Sequence, residues 1–151
     1  MDFDLNAEQV MYQRTVRDFC AAEIKPYAAQ IDASGELPWT AIRKMPNLGL
    51  TGLQVEEAYG GAGLDTMSAA IALEELGWAC GSTALSIAAH NGLSCGPISR
   101  WGTAAQKERY LPKLTSGEHL GALALTEPNA GSDLAGGVQT TAGREGDEWV
   151  I

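Results

Sequence analysis

The stretch "ALTEPNAGSD", residues 124–133, marks the point where the chain changes character. It overlaps the continuous apolar run "LGALALT" (120–126), which is too short for a helix and is typical of a strand buried on both faces. Glu127-Pro128 ends such a strand, because proline has no N–H to donate. Gly131 permits a close approach of the backbone to a partner, and Ser132 adds hydroxyl and N–H donors. The stretch therefore has two interpretations, an ordinary turn or a loop that holds a ligand.

The residues before this stretch carry the signals of a helical domain. Asn6 is a good N-cap, and Gln9 stands three residues later, where the reciprocal bond of a capping box forms. Thr103 and Gln106 repeat the same pattern. Apolar residues recur at helical spacing after both caps. We therefore predict an all-α N-terminal domain over residues 1–117.

Strand-like patterns replace helical ones from residue 118 onward. "GVQTTA" (137–142) reads as a strand, "GREGD" (143–147) as a turn, and "EWVI" (148–151) as the beginning of another strand. Together with residues 120–126 they predict the first strands of an antiparallel sheet. Two or three strands with an exposed edge do not form a stable layer alone. We therefore expect residues 118–151 to be an incomplete domain that is continued by further sequence or by another chain.

Composition excludes several classes of function. The 151 residues carry a net charge of −9, which argues against nucleic acid and anionic membrane as partners, since both require a cationic face. The three cysteines are widely spaced and only two histidines are present, so we expect no metal site. The N-terminus has neither the apolar core of a signal peptide nor the Arg/Ser bias of a transit peptide. We expect a cytoplasmic protein with reduced, buried cysteines.

Several segments together resemble the acyl-CoA dehydrogenase family. "ALALTEPNAGSD" (122–133) is similar to the flavin loop of that family, and the segments around it occur in the family's order and spacing. They are "EEAYGGAGLD" (56–65), "LEELGWAC" (73–80), "GPISRWGTAAQKERYLP" (96–112), "YLPKLTSGEHLGA" (110–122) and "GVQTTAGREGDEWVI" (137–151). The resemblance covers essentially the whole chain. It implies a helical N-terminal domain followed by the first strands of an antiparallel β-barrel domain, with a C-terminal four-helix bundle beyond it.

The resemblance also implies which residues bind the cofactor FAD. Leu123, Leu125 and Thr126 match positions that lie against the isoalloxazine ring. The main chain at Leu125 serves the pyrimidine edge, and the Thr126 hydroxyl would form a hydrogen bond near N5. Ser132 matches a residue that contacts both the FAD pyrophosphate and the thioester substrate, and Gly131 lets the loop come close.

The implied reaction is α,β-dehydrogenation of an acyl-CoA thioester to a trans-2-enoyl-CoA. The family's general base is a glutamate of the C-terminal domain, which we expect beyond Ile151. None of the glutamates near the loop matches its place, so the 151-residue chain alone should be inactive. The resemblance further implies an electron-transfer flavoprotein as oxidant and a homotetramer, and the 83–115 region is most similar to the short-chain and branched-chain branches.

Two alternatives remain open at this point. An acyl-CoA oxidase or a nitroalkane-oxidase-like enzyme shares the scaffold but lets oxygen reach the reduced flavin. A non-catalytic scaffold would keep the fold and lack the base. Thr126 and Ser132 argue against the scaffold, because flavin-facing hydroxyls have no purpose there.

Three further titratable side chains could suggest chemistry. His90 lies in an apolar helical segment, where a lone histidine is usually a packed, hydrogen-bonded core residue. The resemblance places Ala89, His90 and Leu93 near the far end of the acyl cavity. Glu74 and Glu75 are adjacent on a predicted helix (66–78), where neighbours point about 100° apart. We expect both carboxylates on a solvated face and not in a catalytic dyad.

Overall fold

The computed structural model describes residues 4–151, and its helices occupy most of the chain before residue 118. The α-helices are α1 (Ala7–Glu23), α2 (Ala28–Ser34), α3 (Trp39–Ile42), α4 (Thr66–Ala79), α5 (Gly81–Ala89), α6 (Gly96–Trp101), α7 (Ala104–Thr115) and α8 (Leu134–Gly137). Short 3₁₀ turns lie at Lys25–Tyr27, Met45–Leu48 and Glu57–Tyr59, and a π-helical turn at His90–Cys95 joins α5 to α6. The predicted fold class, a helical domain followed by the beginning of a β-domain, is confirmed.

Both predicted capping boxes are present. The Asn6 side chain accepts the Gln9 N–H at 2.9 Å, and the Gln9 side chain accepts the Asn6 N–H at 3.1 Å. Thr103 and Gln106 form the equivalent pair at the start of α7. These bonds satisfy N–H groups that have no partner inside a helix, which fixes where each helix begins.

The main core forms where α4 packs between α1 and α5. Val16, Cys20 and Ile24 follow each other at intervals of four residues, so they form one stripe on α1, and none of them is exposed. Leu76 and Ile87 approach them from the other helices and are fully buried. Each such aliphatic side chain contributes about 1.5–3 kcal/mol by leaving water. This core holds the helical domain together.

The exposed face of α4 differs from the prediction at Glu75. Glu74 is exposed as expected, but Glu75 is buried and forms an ion pair with Arg17 of α1. Trp78 is half-exposed and lies under two cations, with Arg17 Cζ 3.9 Å and Lys25 Nζ 3.3 Å from its ring centroid. The apolar residues of α4 surround the helix, so their spacing does not define which face turns inward. The prediction of two solvated carboxylates was therefore half wrong.

A smaller core lies beneath α7. It contains Val55, Cys95, Leu111 and Leu114, with Tyr59 and Ile98 packed against them. Thr51, which is fully buried, donates its hydroxyl proton to the Thr115 carbonyl at 2.6 Å. The loop of residues 50–64 is thereby tied to the last turn of α7. Gly117, with φ of 70°, then ends the helix as its sequence position predicted.

The C-terminal residues form fewer strands than the sequence predicted. Only β1 (Gly143–Glu145) and β2 (Glu148–Val150) pair, as an antiparallel hairpin with Arg144 opposite Trp149. Residues 120–126 and 137–142 form no ladder within the described chain, because no neighbouring segment supplies partners for their backbone groups. The predicted turn at 143–147 is confined to its last two residues, with Gly146 at φ of 63°.

No helix among residues 4–151 is both long and apolar enough to cross a bilayer. The three cysteines, Cys20, Cys80 and Cys95, are all buried and free, as predicted. Cys80, in extended conformation, separates α4 from α5 and is the N-cap residue of α5.

Candidate functional site

The segment that carries the predicted flavin loop leaves α7 and is anchored to the helical domain at its first residues. The Gly121 N–H donates to Nδ1 of His90 at 3.0 Å. A Cβ at Gly121 would lie 2.0 Å from Ser94 Oγ and 2.4 Å from Ser94 Cβ, both in the π-helical turn. Only glycine fits at this distance, so the backbone of the segment touches the helical domain directly.

His90 itself is a buried connector. It is 1% exposed, and its Nε2 lies 2.9 Å from the Thr51 carbonyl oxygen. Because Nδ1 accepts a proton from Gly121, the ring proton resides on Nε2 and is donated to Thr51. Burial lowers the pKa of His90 below its ordinary value of 6.5, which favours this neutral form. The prediction of a packed, hydrogen-bonded core histidine is therefore confirmed.

Asn91, the next residue, forms hydrogen bonds with backbone groups of the loop at residues 50–53. Its amide nitrogen donates to the carbonyls of Leu50 and Ile87 at 2.8 and 3.0 Å, and its Oδ1 accepts the Leu53 N–H at 2.9 Å. The π-helical turn thus places two consecutive polar side chains against the 50–53 loop. Wide turns of this kind occur often beside functional sites, because they redirect side chains that a regular helix would separate.

The Glu-Pro dipeptide forms a closed turn after the segment. Glu127 and Ala130 exchange two backbone hydrogen bonds, at 3.0 and 3.1 Å. The Glu127 carboxylate also accepts the N–H groups of Gln139 and Thr140 at 2.8 and 3.1 Å. A hydrogen bond from the Thr140 side chain, together with these two backbone bonds, holds the pKa of Glu127 below its ordinary value of 4.5. Residues 127–140 are therefore a structured loop whose two ends meet.

The middle of that loop is shaped by a short helix. The Asp133 carboxylate accepts the Gly136 N–H at 3.0 Å and so caps α8. Ala130 is 1% exposed and packs against Gly137, where a Cβ would lie 2.9 Å from the Ala130 Cβ. By contrast, a Cβ at Gly131 would have nothing within 4 Å. The loop is packed on its inner side and open at Gly131.

The residues that the sequence predicted for FAD are all exposed. Leu123 and Leu125 are 49% and 45% exposed, unusually high for leucines, and Thr126, Gly131 and Ser132 are exposed as well. The structure brings them together on one segment and presents them to the outside. Exposed leucines beside hydroxyl groups and an open glycine suit a large ligand with an apolar ring and polar edges.

A groove of about 420 Å³ lies next to Gly121. Ser94, Ile98 and Leu114 line its apolar part, and basic side chains stand at its rim. His119 at this rim is exposed, and its Nε2 lies 3.7 Å from the Glu118 carboxylate. No cluster of side chains suited to a metal ion occurs in the part of the chain that the structure describes.

Sequence reasoning missed the residues that support the loop from behind. Asp133 could have been found as an N-cap, because aspartate before a short helical segment is a known signal. Glu127 and His90 could not, because their bonds reach 12 and 31 residues along the chain. Such partners become visible only when the fold brings them together.

Comparison with known proteins identifies the family. Residues 6–118 match the family model described as "Acyl-CoA dehydrogenase, N-terminal domain". The chain belongs to the acyl-CoA dehydrogenase family. It is 51% identical, over its full length, to a probable acyl-CoA dehydrogenase, YngJ, of Bacillus subtilis, and 45% identical to a short-chain specific acyl-CoA dehydrogenase of Clostridium acetobutylicum. In both cases it spans 40% of the relative's length.

Solved structures agree with this assignment. The chain superposes with a TM-score of 0.88 on butyryl-CoA dehydrogenase from Megasphaera elsdenii, at 38% identity, covering 97% of this chain and 39% of that one. An acyl-CoA dehydrogenase from Bacillus anthracis, solved in complex with FAD, gives a TM-score of 0.85 at 38% identity, covering 92% of this chain and 24% of that one. A chain in a structure described as the electron transferring flavoprotein of Acidaminococcus fermentans gives a TM-score of 0.92 at 36% identity. The match covers 99% of this chain and 39% of that one.

Proposed function

We propose that this chain is the N-terminal portion of an FAD-dependent acyl-CoA dehydrogenase, and that residues 121–133 form part of its flavin site. The observation that carries the proposal is the contrast between the two sides of this segment. Its inner side is fixed by His90, Glu127 and Asp133, while its outer side exposes leucines and hydroxyl groups. A loop that is held in place but leaves its apolar side chains in water is typical of a binding surface.

The residues present fit FAD in both shape and chemistry. The exposed Leu123 and Leu125 can cover an apolar ring, and the open space at Gly131 allows close approach of a phosphate group. Thr126 would donate its hydroxyl proton near the reactive edge of the ring, and Ser132 would donate to the pyrophosphate. When bound, FAD supplies the acceptor for a hydride from the substrate. The chain's own residues bind, orient and shield it from water.

The substrate class proposed is an acyl-CoA thioester of short chain. Support comes from relatives named as short-chain specific and butyryl-CoA dehydrogenases. We further propose a general-base glutamate beyond Ile151, an electron-transfer flavoprotein as oxidant, a homotetrameric assembly and action in the cytoplasm. The domain boundary near residue 117 belongs to the same proposal, since α7 ends at Thr115 and Gly121 then contacts the helical domain through His90.

Substitutions on the outer side of the loop test this function. Three single variants are prepared in the complete protein that the gene encodes: Thr126→Val, Ser132→Ala and the control Thr141→Val. The control alters an exposed threonine beyond the loop. We expect Ser132→Ala to weaken FAD binding about tenfold, the loss of one charge-assisted hydrogen bond. Thr126→Val should slow flavin reduction by an acyl-CoA more than it weakens FAD binding.

The outcomes separate the candidate functions. Equal FAD affinity and reduction rate in all three variants would contradict the assignment of the loop. A protein that binds FAD but is not reduced by any acyl-CoA would instead favour the nitroalkane-oxidase-like alternative. Rapid reoxidation by oxygen would favour an acyl-CoA oxidase, and a protein without affinity for FAD would favour the scaffold.

A further inference from the structure

One buried side chain, His90, forms hydrogen bonds with both the helical domain and the candidate flavin loop. His90 uses both ring nitrogens, Nε2 toward the Thr51 carbonyl at 2.9 Å and Nδ1 toward the Gly121 N–H at 3.0 Å. Its side chain is 1% exposed, so water does not replace either partner. The Cys95 sulfur also lies beside the ring, 3.6 Å from Nε2.

We propose that His90 is a positioning residue for the flavin loop: its neutral imidazole fixes the backbone at Gly121 and so determines how the exposed side chains that follow meet FAD. This inference rests on the proposed function. Leu123 lies only two residues after Gly121, and residues 120–126 have no ladder among the described residues that would fix their register otherwise. The hydrogen bond from Gly121 to His90 therefore fixes the backbone two residues before Leu123.

The geometry around His90 makes this anchor stiff. Thr51, which accepts the Nε2 proton, donates its own hydroxyl proton to the Thr115 carbonyl at 2.6 Å. The hydrogen bond between Gly121 and His90 is thus linked, through Thr51, to Thr115 at the end of α7, six residues before Gly121 in the chain. Ser94, in the same π-helical turn as His90, lies so close that no Cβ fits at Gly121. The backbone at Gly121 is therefore held by a hydrogen bond to His90 and by close contact with Ser94.

Two substitutions separate positioning from simple structural support. In His90→Asn, the amide oxygen occupies the place of Nδ1 and can accept the Gly121 N–H, while the bond to Thr51 is lost. In His90→Gln, the longer side chain brings its amide nitrogen to the place of Nε2 and can donate to Thr51, while the bond to Gly121 is lost. Each variant therefore keeps one of the two hydrogen bonds and loses the other.

The experiment measures FAD binding to reconstituted apoprotein, prepared from the protein as its gene encodes it and from both variants. We expect similar midpoints of urea unfolding for the two variants, because each lacks one buried bond. The FAD dissociation constant of His90→Gln should rise by about tenfold, the change that one lost hydrogen bond produces, while that of His90→Asn stays near the parent value. The rate of flavin reduction should follow the same order.

Equal dissociation constants for the two variants, or a weaker His90→Asn, would overturn the inference. A parent protein that does not bind FAD would overturn the proposed function itself, which is a separate result. If both variants fail to fold, amide hydrogen exchange of the parent decides instead. Slow exchange at Gly121 in the absence of FAD supports the anchor, and exchange as fast as in the exposed β-hairpin overturns it.

Discussion

The close contact between Gly121 and the π-helical turn gives a quantitative prediction. In Gly121→Ala, the new Cβ would lie 2.0 Å from Ser94 Oγ, 2.4 Å from Ser94 Cβ and 3.3 Å from Leu114 Cδ2. Rotation of the serine side chain moves Oγ but leaves its Cβ in place. The segment must therefore move away from the helical domain by about 1 Å, since carbon atoms pack at about 3.5–4.0 Å.

That movement has two costs. Overpacking of a buried contact destabilises a protein by about 1–3 kcal/mol. The displaced backbone also loses the 3.0 Å bond from the Gly121 N–H to His90, and a buried group without its partner costs about 1–3 kcal/mol. We expect Gly121→Ala to lower the free energy of unfolding by about 2–4 kcal/mol, because the two costs partly share one relaxation.

A double-mutant cycle isolates the contact. Ser94→Gly removes both clashing atoms and should cost about 0.5–1 kcal/mol by itself, as glycine does inside a helical turn. In the presence of Ser94→Gly, Gly121→Ala should cost at least about 1 kcal/mol less than in the parent. Gly143→Ala serves as the control, since a Cβ there has nothing within 4 Å, and it should change stability by less than about 0.5 kcal/mol.

Urea unfolding of the gene-encoded protein, followed by tryptophan fluorescence and circular dichroism, measures each value. The reasoning is refuted if Gly121→Ala is as mild as Gly143→Ala, or if the effects at Gly121 and Ser94 add without coupling. Either result would mean that the segment does not lie against the π-helical turn. The anchored loop, on which the candidate site depends, would then be wrong.

Three further predictions follow from other contacts. Gly61→Ala places a Cβ 2.0 Å from a backbone carbonyl oxygen that cannot rotate away, so it should destabilise by about 1–3 kcal/mol or more in urea unfolding, whereas Gly81→Ala, with open space, should be neutral. Burial lowers the pKa of His90, so the stability that its neutral form contributes is fully present above pH 6.5. This contribution is lost as the pH falls from 6.5 through the folded-state pKa. His90→Asn should therefore reduce the slope of the unfolding free energy against pH in this range. Glu127→Gln leaves one carbonyl oxygen in place of two carboxylate oxygens, so hydrogen exchange at Gln139 or its neighbour should accelerate; no change there would contradict the closed loop.

Local signals in the sequence predicted the helical domain well. The capping boxes at Asn6 and Thr103 and the stop at Gly117 depend only on residues within a few positions, and all three appear in the structure. Which face of α4 turns toward the core was not predictable in the same way. Apolar residues occur all around that helix, so the burial of Glu75 depends on Arg17, which lies on another helix.

The candidate site was predicted only in part. The residue types alone left two interpretations open, a turn or a ligand-holding loop at Gly131 and Ser132, and the resemblance to the family added Leu123, Leu125 and Thr126. Their common exposure agrees with a binding surface, while their roles toward FAD remain predictions. The predicted strand at 120–126 was wrong for this chain, because a strand requires backbone partners that its own sequence cannot specify.

The central claim is that the exposed loop holds a flavin that an acyl-CoA reduces. Its most direct test is an anaerobic titration of the gene-encoded protein with acyl-CoAs of increasing chain length, followed by the visible absorbance of oxidised flavin. The account predicts a yellow protein whose absorbance is bleached most completely by one short acyl chain. A yellow protein that no acyl-CoA bleaches, or a colourless protein that does not take up FAD, would contradict it.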